Sequence, residues 1–294
     1  MTYTYYPGCF LSGSGKPGGE SLMAVFEALG HDLEELDDWN CCGATSYYSI
    51  DQTQAMALAA RSLCLAEKGN VGELVAPCSA CFFVLRRVED FRTRYPELMG
   101  KVLGVLHDMG LDYEGNVKVR HPLDVLYDDI GIEEIKKHVE RAPNGIRVGC
   151  YYGCLYSRPY GTPEEWRFPT KMEDLFGGLG VEVVDFPLRT RCCGGSLASS
   201  IEDVGQRLVY VLLREAKRVG ADVLVTLCAL CQFNLEAYQR AAGRRFGEDV
   251  RMPILYFTQL LGLLMGIPEE KLGLHRLLVP PPAALLGAGV RGSP

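Results

Sequence analysis

Apolar side chains at Leu22, Val25, Phe26 and Leu29 fall at i, i+3, i+4 and i+7, the spacing of one helix face, and Gly30 follows as a C-cap. The pattern predicts a helix over 20–29. Ahead of it, the β-branched and aromatic run at 2–6 predicts a strand. A short strand is expected at 31–36. A helix at 51–68 carries Met56, Ala59, Ala60 and Leu63 on its apolar face and is closed by Gly69. A strand at 73–76 ends at Pro77-Cys78, and another helix starts near 79–81. Later the same order returns: strand 146–152, helix 171–179, strand 181–185, helix 201–219, strand 222–227, helix 230–242. Strands alternating with helices predict an α/β fold with parallel strands. In such sheets ligands gather beyond the carboxyl ends of the strands.

The chain therefore repeats itself. Met172, Leu175, Phe176, Leu179 and Gly180 stand 150 residues after the first helix face and its cap. The same offset separates Cys78-x-x-Cys81 from Cys228-x-x-Cys231. Two homologous α/β domains are expected, at 1–143 and 144–279, joined near Arg141-Ala142-Pro143-Asn144-Gly145. The proline-, glycine- and alanine-rich stretch 280–294 is expected to be a flexible tail.

Composition adds two constraints. The 294 residues carry 30 basic and 37 acidic side chains, a net charge of −7 that argues against nucleic acid as a partner. The N-terminus has no basic start or apolar h-region, and the apolar stretch 254–267 is too short to span a bilayer. A cytoplasmic location and no membrane span are expected, so the 12 cysteines should be reduced thiols rather than disulfides.

Ten of those cysteines form two copies of one pattern. Cys9, Cys41-Cys42 and Cys78-x-x-Cys81 make the first; Cys154, Cys192-Cys193 and Cys228-x-x-Cys231 make the second. Each adjacent pair precedes a glycine, Gly43 or Gly194. Thiolate selects zinc, copper or iron–sulfur clusters. A structural zinc site takes four ligands, commonly from short-spaced pairs. Five cysteines from three distant loops, two of them adjacent, suit a larger object, and adjacent cysteines can reach neighbouring irons of one cluster. An iron–sulfur reading is favoured, with zinc and a thioredoxin-like pair at Cys78/Cys81 as weaker alternatives. Helices starting after Cys42, Cys78, Cys193 and Cys228 would offer free N–H groups to anionic sulfur.

The doubled pattern, from Tyr5-Tyr6-Pro7-Gly8-Cys9 to Leu261-Gly262-Leu263-Leu264-Met265-Gly266, resembles the CCG-domain family, and within it the B subunit of heterodisulfide reductase. The resemblance implies one non-cubane [4Fe-4S] cluster per half. Cys9, Cys41, Cys42, Cys78 and Cys81 would hold the first; Cys154, Cys192, Cys193, Cys228 and Cys231 the second. Tyr151-Tyr152-Gly153-Cys154 matches the family's first-cysteine context, which favours Cys154 over Cys150. The implied activity is reductive cleavage of a disulfide, such as the coenzyme M–coenzyme B heterodisulfide. The implied partners are a C-like subunit with cubane [4Fe-4S] clusters and a flavin-bearing A-like subunit. The motif Cys228-Ala229-Leu230-Cys231-Gln232 departs from the methanogen version, leaving the natural disulfide open. Family relatives also serve as electron-transfer subunits in sulfur oxidation and in succinate, lactate, glycolate or glycerol-phosphate oxidation.

The remaining candidates are weaker. Cys64 sits on a helix among Ala60, Leu63 and Ala66, and Cys150 inside a strand; both read as core thiols. The five histidines, at 31, 107, 121, 138 and 275, show no ligand spacing and read as surface or structural, with His121 in a turn before Pro122. Lys16 in the glycine-rich loop 13–19, which lacks a P-loop ending, and Arg158, Arg189 and Arg191 beside the second cysteine set are candidates for docking an anionic disulfide.

Overall fold

Two four-stranded parallel sheets carry the chain, in a computed structural model that describes residues 1–44, 46–141 and 145–286 (for Ser46 and Tyr47, the backbone only). In the first half β1 (Thr2–Tyr5), β2 (Asp32–Glu35), β3 (Glu73–Val75) and β4 (Lys118–Arg120) lie in the order β2-β1-β3-β4. In the second, β5 (Arg147–Tyr151), β6 (Glu182–Val184), β7 (Val223–Thr226) and β8 (Ile254–Tyr256) lie as β6-β5-β7-β8. The chain leaves the central strand for one neighbour and returns on its other side. That makes a topological switch point between β1 and β3 and again between β5 and β7, where this architecture opens a crevice. Cys9 and Cys78 follow the two strands of the first switch point; Cys154 and Cys228 follow those of the second.

The helices are α1 (Gly8–Leu11), α2 (Lys16–Ala28), α3 (Ser46–Ile50), α4 (Gln52–Lys68), α5 (Ser79–Arg94), α6 (Pro96–Asp108), α7 (Pro122–Asp124), α8 (Ile132–Lys136), α9 (Lys171–Gly178), α10 (Glu202–Arg218), α11 (Ala229–Phe246) and α12 (Phe257–Leu264). A π-helical turn, Val125–Ile130, joins α7 to α8. The expected helix 20–29 begins four residues earlier, at Lys16. Gly15 caps it and Pro17 sits in its first turn, where a missing N–H costs nothing. Lys16 is thereby a helix residue, 4.0 Å from Glu20, and not part of a loop.

The apolar stretch at 254–267 holds β8 and α12. All eight residues of α12 are buried, which fits its mostly apolar sequence, and its polar Thr258 and Gln259 are hydrogen-bonded to Ser21 and Gln232. This helix packs on α2 of the first half, where Ser21 Oγ and Thr258 Oγ1 are 2.6 Å apart. In the mirrored arrangement, Lys171 of α9 reaches Asp124 and Asp128 of the first half at 2.8 Å each. One buried cluster therefore mixes Leu22, Val25 and Phe26 with Leu260, Leu261 and Leu264. The junction is tied down where Glu140 and Arg141 N–H donate to the Leu264 carbonyl; 142–144 lie outside the described residues. Of the segment expected as a flexible tail, Leu285 is buried in that same cluster, and 287–294 lie outside the described residues.

Candidate metal centre

Each cysteine group is held by a device that both halves repeat. Gly8 and Gly153, just ahead of Cys9 and Cys154, have φ +68 and +71. A Cβ on Gly8 would lie 2.8 Å from Cys81 Sγ, and one on Gly153 3.2 Å from Cys231 Sγ. Only glycine allows both the left-handed turn and the close pass of backbone by sulfur. The hydroxyls of Tyr6 and Tyr151 then reach across to donate to the carbonyls of Asn40 and Arg191, the residues preceding the two cysteine pairs, at 2.5 and 2.7 Å.

The Cys-x-x-Cys turns are braced from the opposite half. Tyr256, at the end of β8, donates its hydroxyl to the Pro77 carbonyl at 2.6 Å, directly before Cys78. His121, past the end of β4, lies 3.0 Å through Nε2 from the Leu227 carbonyl, directly before Cys228. Its Nδ1 accepts from the Leu123 N–H at 3.1 Å, so Nε2 carries the proton and donates. His121 is fully buried, which pushes its pKa down to about 4 and keeps the ring neutral. It is a structural histidine, the N-cap of α7 in the turn before Pro122.

These devices gather ten sulfurs. Cys42, Cys78, Cys81, Cys193, Cys228 and Cys231 are buried; Cys154 is half-buried; Cys9, Cys41 and Cys192 are exposed. Cys42 and Cys81 Sγ are 3.4 Å apart, as are Cys193 and Cys231, and Cys9 and Cys41 are 3.9 Å apart. Cys78 and Cys228 meet across the halves. The hydrogen bond between them pushes the Cys78 thiol up. Cys228 is held well below the usual thiol range by hydrogen bonds from Cys231 and Cys78, with the backbone N–H groups of Cys231 and Ser79 adding to them. Cys192 is pushed down to about 6 by its hydrogen bond with Cys154, and the Gly194 N–H, at 3.3 Å, and Arg158 act in the same direction. Cys64 and Cys150 are buried in the core, away from these contacts.

The donor chemistry fits iron–sulfur clusters. Five soft sulfurs per half exceed what one zinc ion takes. Among the described residues, no three Cys, His, Asp or Glu side chains converge as a site for a single metal ion. Backbone N–H groups face the sulfurs, as anionic clusters require. Ser79 Oγ is buried beside the cysteines and has no hydrogen-bond partner among the described residues, so it can donate to sulfur. A cleft of about 260 Å³ runs between the halves. Cys154, Cys192, Cys193, Cys228 and Cys231 line one side; Tyr48, Phe83, Val84 and Arg87 of the first half line the other.

None of the four basic side chains expected from the sequence to dock an anion lines that cleft. Arg189 is buried, with ion pairs to Glu173 at 2.9 Å and to Asp185, so its charge is already neutralised inside the fold. Lys16 lies on α2 beside Glu20. Arg158 donates to the Thr190 carbonyl near Cys192, and Arg191 is exposed. The cation in the cleft is Arg87, which the sequence reading missed. Its signal was present: Ala80, Phe83, Val84 and Arg87 continue one helix face from the Cys-x-x-Cys motif at i, i+3, i+4 and i+7.

Two α/β halves, each closing five cysteines over its switch point, define a cysteine-rich redox protein. The Cysteine-rich domain (CCG) family matches residues 3–86 and 148–236, and the chain belongs to that family. It is 31% identical, over 94% of its length and 96% of the relative's, to the 8-methylmenaquinol:fumarate reductase membrane anchor subunit of Wolinella succinogenes. It is also 31% identical, over 92% and 93%, to a protein of Archaeoglobus profundus named as like the B subunit of heterodisulfide reductase. The crystal structure of a hypothetical protein from Helicobacter pylori superposes with a TM-score of 0.76 at 15% identity, over 96% of this chain and 52% of that one, and shares the fold. The kinship expected from the doubled cysteine pattern is thus shown, and iron–sulfur redox chemistry is supported. Among the described residues no helix is long and apolar enough to cross a membrane.

Proposed function

We propose that this chain is the disulfide-reducing subunit of a heterodisulfide reductase-like complex. Cys9, Cys41, Cys42, Cys78 and Cys81 hold one non-cubane [4Fe-4S] cluster, and Cys154, Cys192, Cys193, Cys228 and Cys231 hold the other. When bound, such clusters supply single electrons and soft iron for sulfur. The observation that carries this reading is the cleft between the halves, which has the second cysteine set on one wall and Ser79 and Ala80 of the first Cys-x-x-Cys turn on the other. Cleaving a disulfide consumes two electrons and two protons: RS–SR′ + 2 e⁻ + 2 H⁺ → RSH + R′SH. Two one-electron donors flanking one S–S bond match that stoichiometry. The apolar walls, Tyr48, Phe83, Val84, Leu155 and Leu230, hold the substrate and exclude water. Arg158 and Arg191, at the Cys192 edge of an acidic molecule, attract an anionic disulfide locally. The sequence has no flavin or nicotinamide motif, so electrons arrive from a C-like subunit with cubane clusters coupled to a flavin-bearing A-like subunit.

The similarity to a fumarate reductase subunit supports a second reading, in which the chain relays electrons within a complex whose other subunit meets the substrate. Anaerobically purified protein, assayed for iron, sulfide and zinc and then for turnover of candidate disulfides by a reduced viologen, tests both. About eight irons per chain with disulfide turnover is the expected result. Two zinc ions with negligible iron overturns both readings. Full iron with no disulfide turnover leaves the relay.

A further inference from the structure

The cleft beside the cysteines is chemically one-sided. Apart from the cysteines, Ser79 and Ser196, its walls are apolar or aromatic up to the far end of the α5 face, where Arg87 is the one basic or acidic residue, cysteine aside, among the described residues that line it. The guanidinium carbon lies 4.3 Å from the Tyr48 ring centre and 4.4 Å from that of Phe83. Two aromatic rings thus pack against the half-buried cation, which restricts its plane and partly desolvates it. Nearby Arg92 and Arg94 are paired with Glu89 and Asp90. Arg87 makes no ion pair among the described residues; the Tyr160 hydroxyl lies beside it, and the guanidinium keeps donors free. Seven residues of helix separate Arg87 from Ala80 beside the cysteines, a rise of about 10 Å. At the equivalent position of the second half, 150 residues on, stands Ala237.

We infer that Arg87 is a specificity-determining residue that holds an anionic group on one of the two thiols leaving the disulfide. The inference rests on the reductase reading, because it takes sulfur to lie at the cysteine end of the cleft. It gives the substrate a polarity: an apolar segment about 10 Å long between the reacting sulfur and a carboxylate, sulfonate or phosphate gripped by a planar, partly desolvated guanidinium. Electrons and atoms follow the balance already written, and Arg87 takes no part in bond cleavage.

The test is binding of 6-mercaptohexanoate and of its neutral amide to the iron-loaded protein, by calorimetry, for wild type and Arg87→Gln. Wild type is expected to bind the carboxylate about tenfold more tightly than the amide. In Arg87→Gln that preference should vanish, with affinity for the amide and iron content unchanged. Equal affinity for the two probes in wild type, no binding of the carboxylate, or a preference that survives in Arg87→Gln overturns the inference. Turnover is read separately. A charge preference that depends on Arg87, in a protein that reduces no disulfide, overturns the reductase reading and leaves Arg87 as an anion anchor.

Discussion

Sulfurs of one chemical type occupy quite different surroundings here, and those surroundings sort them by role. Cys64 packs among alanines and leucines of the first half's core, where burial pushes its thiol up to about 11. Cys42 is equally buried yet is held well below the usual range by hydrogen bonds from Cys41 and Cys81. Cys42 Sγ lies 3.4 Å from Cys81 Sγ, whereas Cys64 has no hydrogen bond to any of the ten sulfurs among the described residues. Cys64→Ala should therefore leave the iron content unchanged and reduce stability by the loss of a small buried group. Cys42→Ala or Cys193→Ala should remove about half of the iron, because each lies in only one set. Iron and sulfide assays with electron paramagnetic resonance on each variant check this, and iron lost from Cys64→Ala would contradict the assignment. His121 gives a second prediction at this scale. Burial lowers its pKa to about 4 from the ordinary value near 6.5. As pH falls through that interval the unfolded chain takes up a proton that the folded chain refuses, so stability is lost on acidification. The loss should reach about 3 kcal/mol by pH 4. In His121→Gln this part of the pH dependence should be missing from thermal unfolding followed between pH 7 and 4. An unchanged profile in the variant would contradict the buried neutral ring.

Elements that depend on local pattern were legible in the sequence, and those that depend on distant contacts were not. The α2 and α9 faces, their glycine ends and the order of strands and helices follow from spacing alone, as does the doubled cysteine set. Strands β4 and β8 escaped for local reasons: Lys118-Val119-Arg120 has charge on both sides of its one apolar residue, and Ile254-Leu255-Tyr256 merges into the apolar α12. At the end of α4, Gly69 is the C-cap as the sequence suggested, and the left-handed residue after it is Asn70, at φ +56, since asparagine also tolerates that conformation. The braces on the Cys-x-x-Cys turns left no sequence signal, because Tyr256 and Pro77 are 179 positions apart and His121 and Leu227 are 106 apart. Arg87 was visible as a helix-face continuation, but its meaning needed the opposite wall of the cleft. The brace carries its own prediction. Tyr256→Phe removes a buried donor and leaves the Pro77 carbonyl unsatisfied, which costs about 1–3 kcal/mol. Iron binding by the cysteines should persist, since every sulfur remains. The measurement is chemical denaturation beside iron content; a variant as stable as wild type would show that this hydrogen bond does not hold the turn.

At the scale of the whole molecule, the two halves repeat in sequence but share their core. Helix α12 belongs to the second half by chain order, yet it covers α2 of the first. Its Phe257, Leu260, Leu261 and Leu264 are fully or almost fully buried. Burying four such side chains contributes about 6–12 kcal/mol. That is as large as the stability of a typical domain, about 5–15 kcal/mol. Removing the second half would strip this cover from Leu22, Val25 and Phe26, and would also remove the Lys171 partner of Asp124 and Asp128. The two cysteine sets face the same junction, with Cys78 against Cys228 and the cleft walled from both sides. The halves should therefore fold together or not at all. Full-length protein should unfold in a single cooperative transition. Fragments 1–143 and 144–294 expressed apart should give no cooperative unfolding and bind no iron, whereas the two co-expressed should reassemble and bind it. Calorimetry of the full chain and iron analysis of the fragments test this. Two resolved transitions, or a lone fragment that folds and holds iron, would mean that the repeat is two self-sufficient domains and that the shared core contributes far less than its buried area implies.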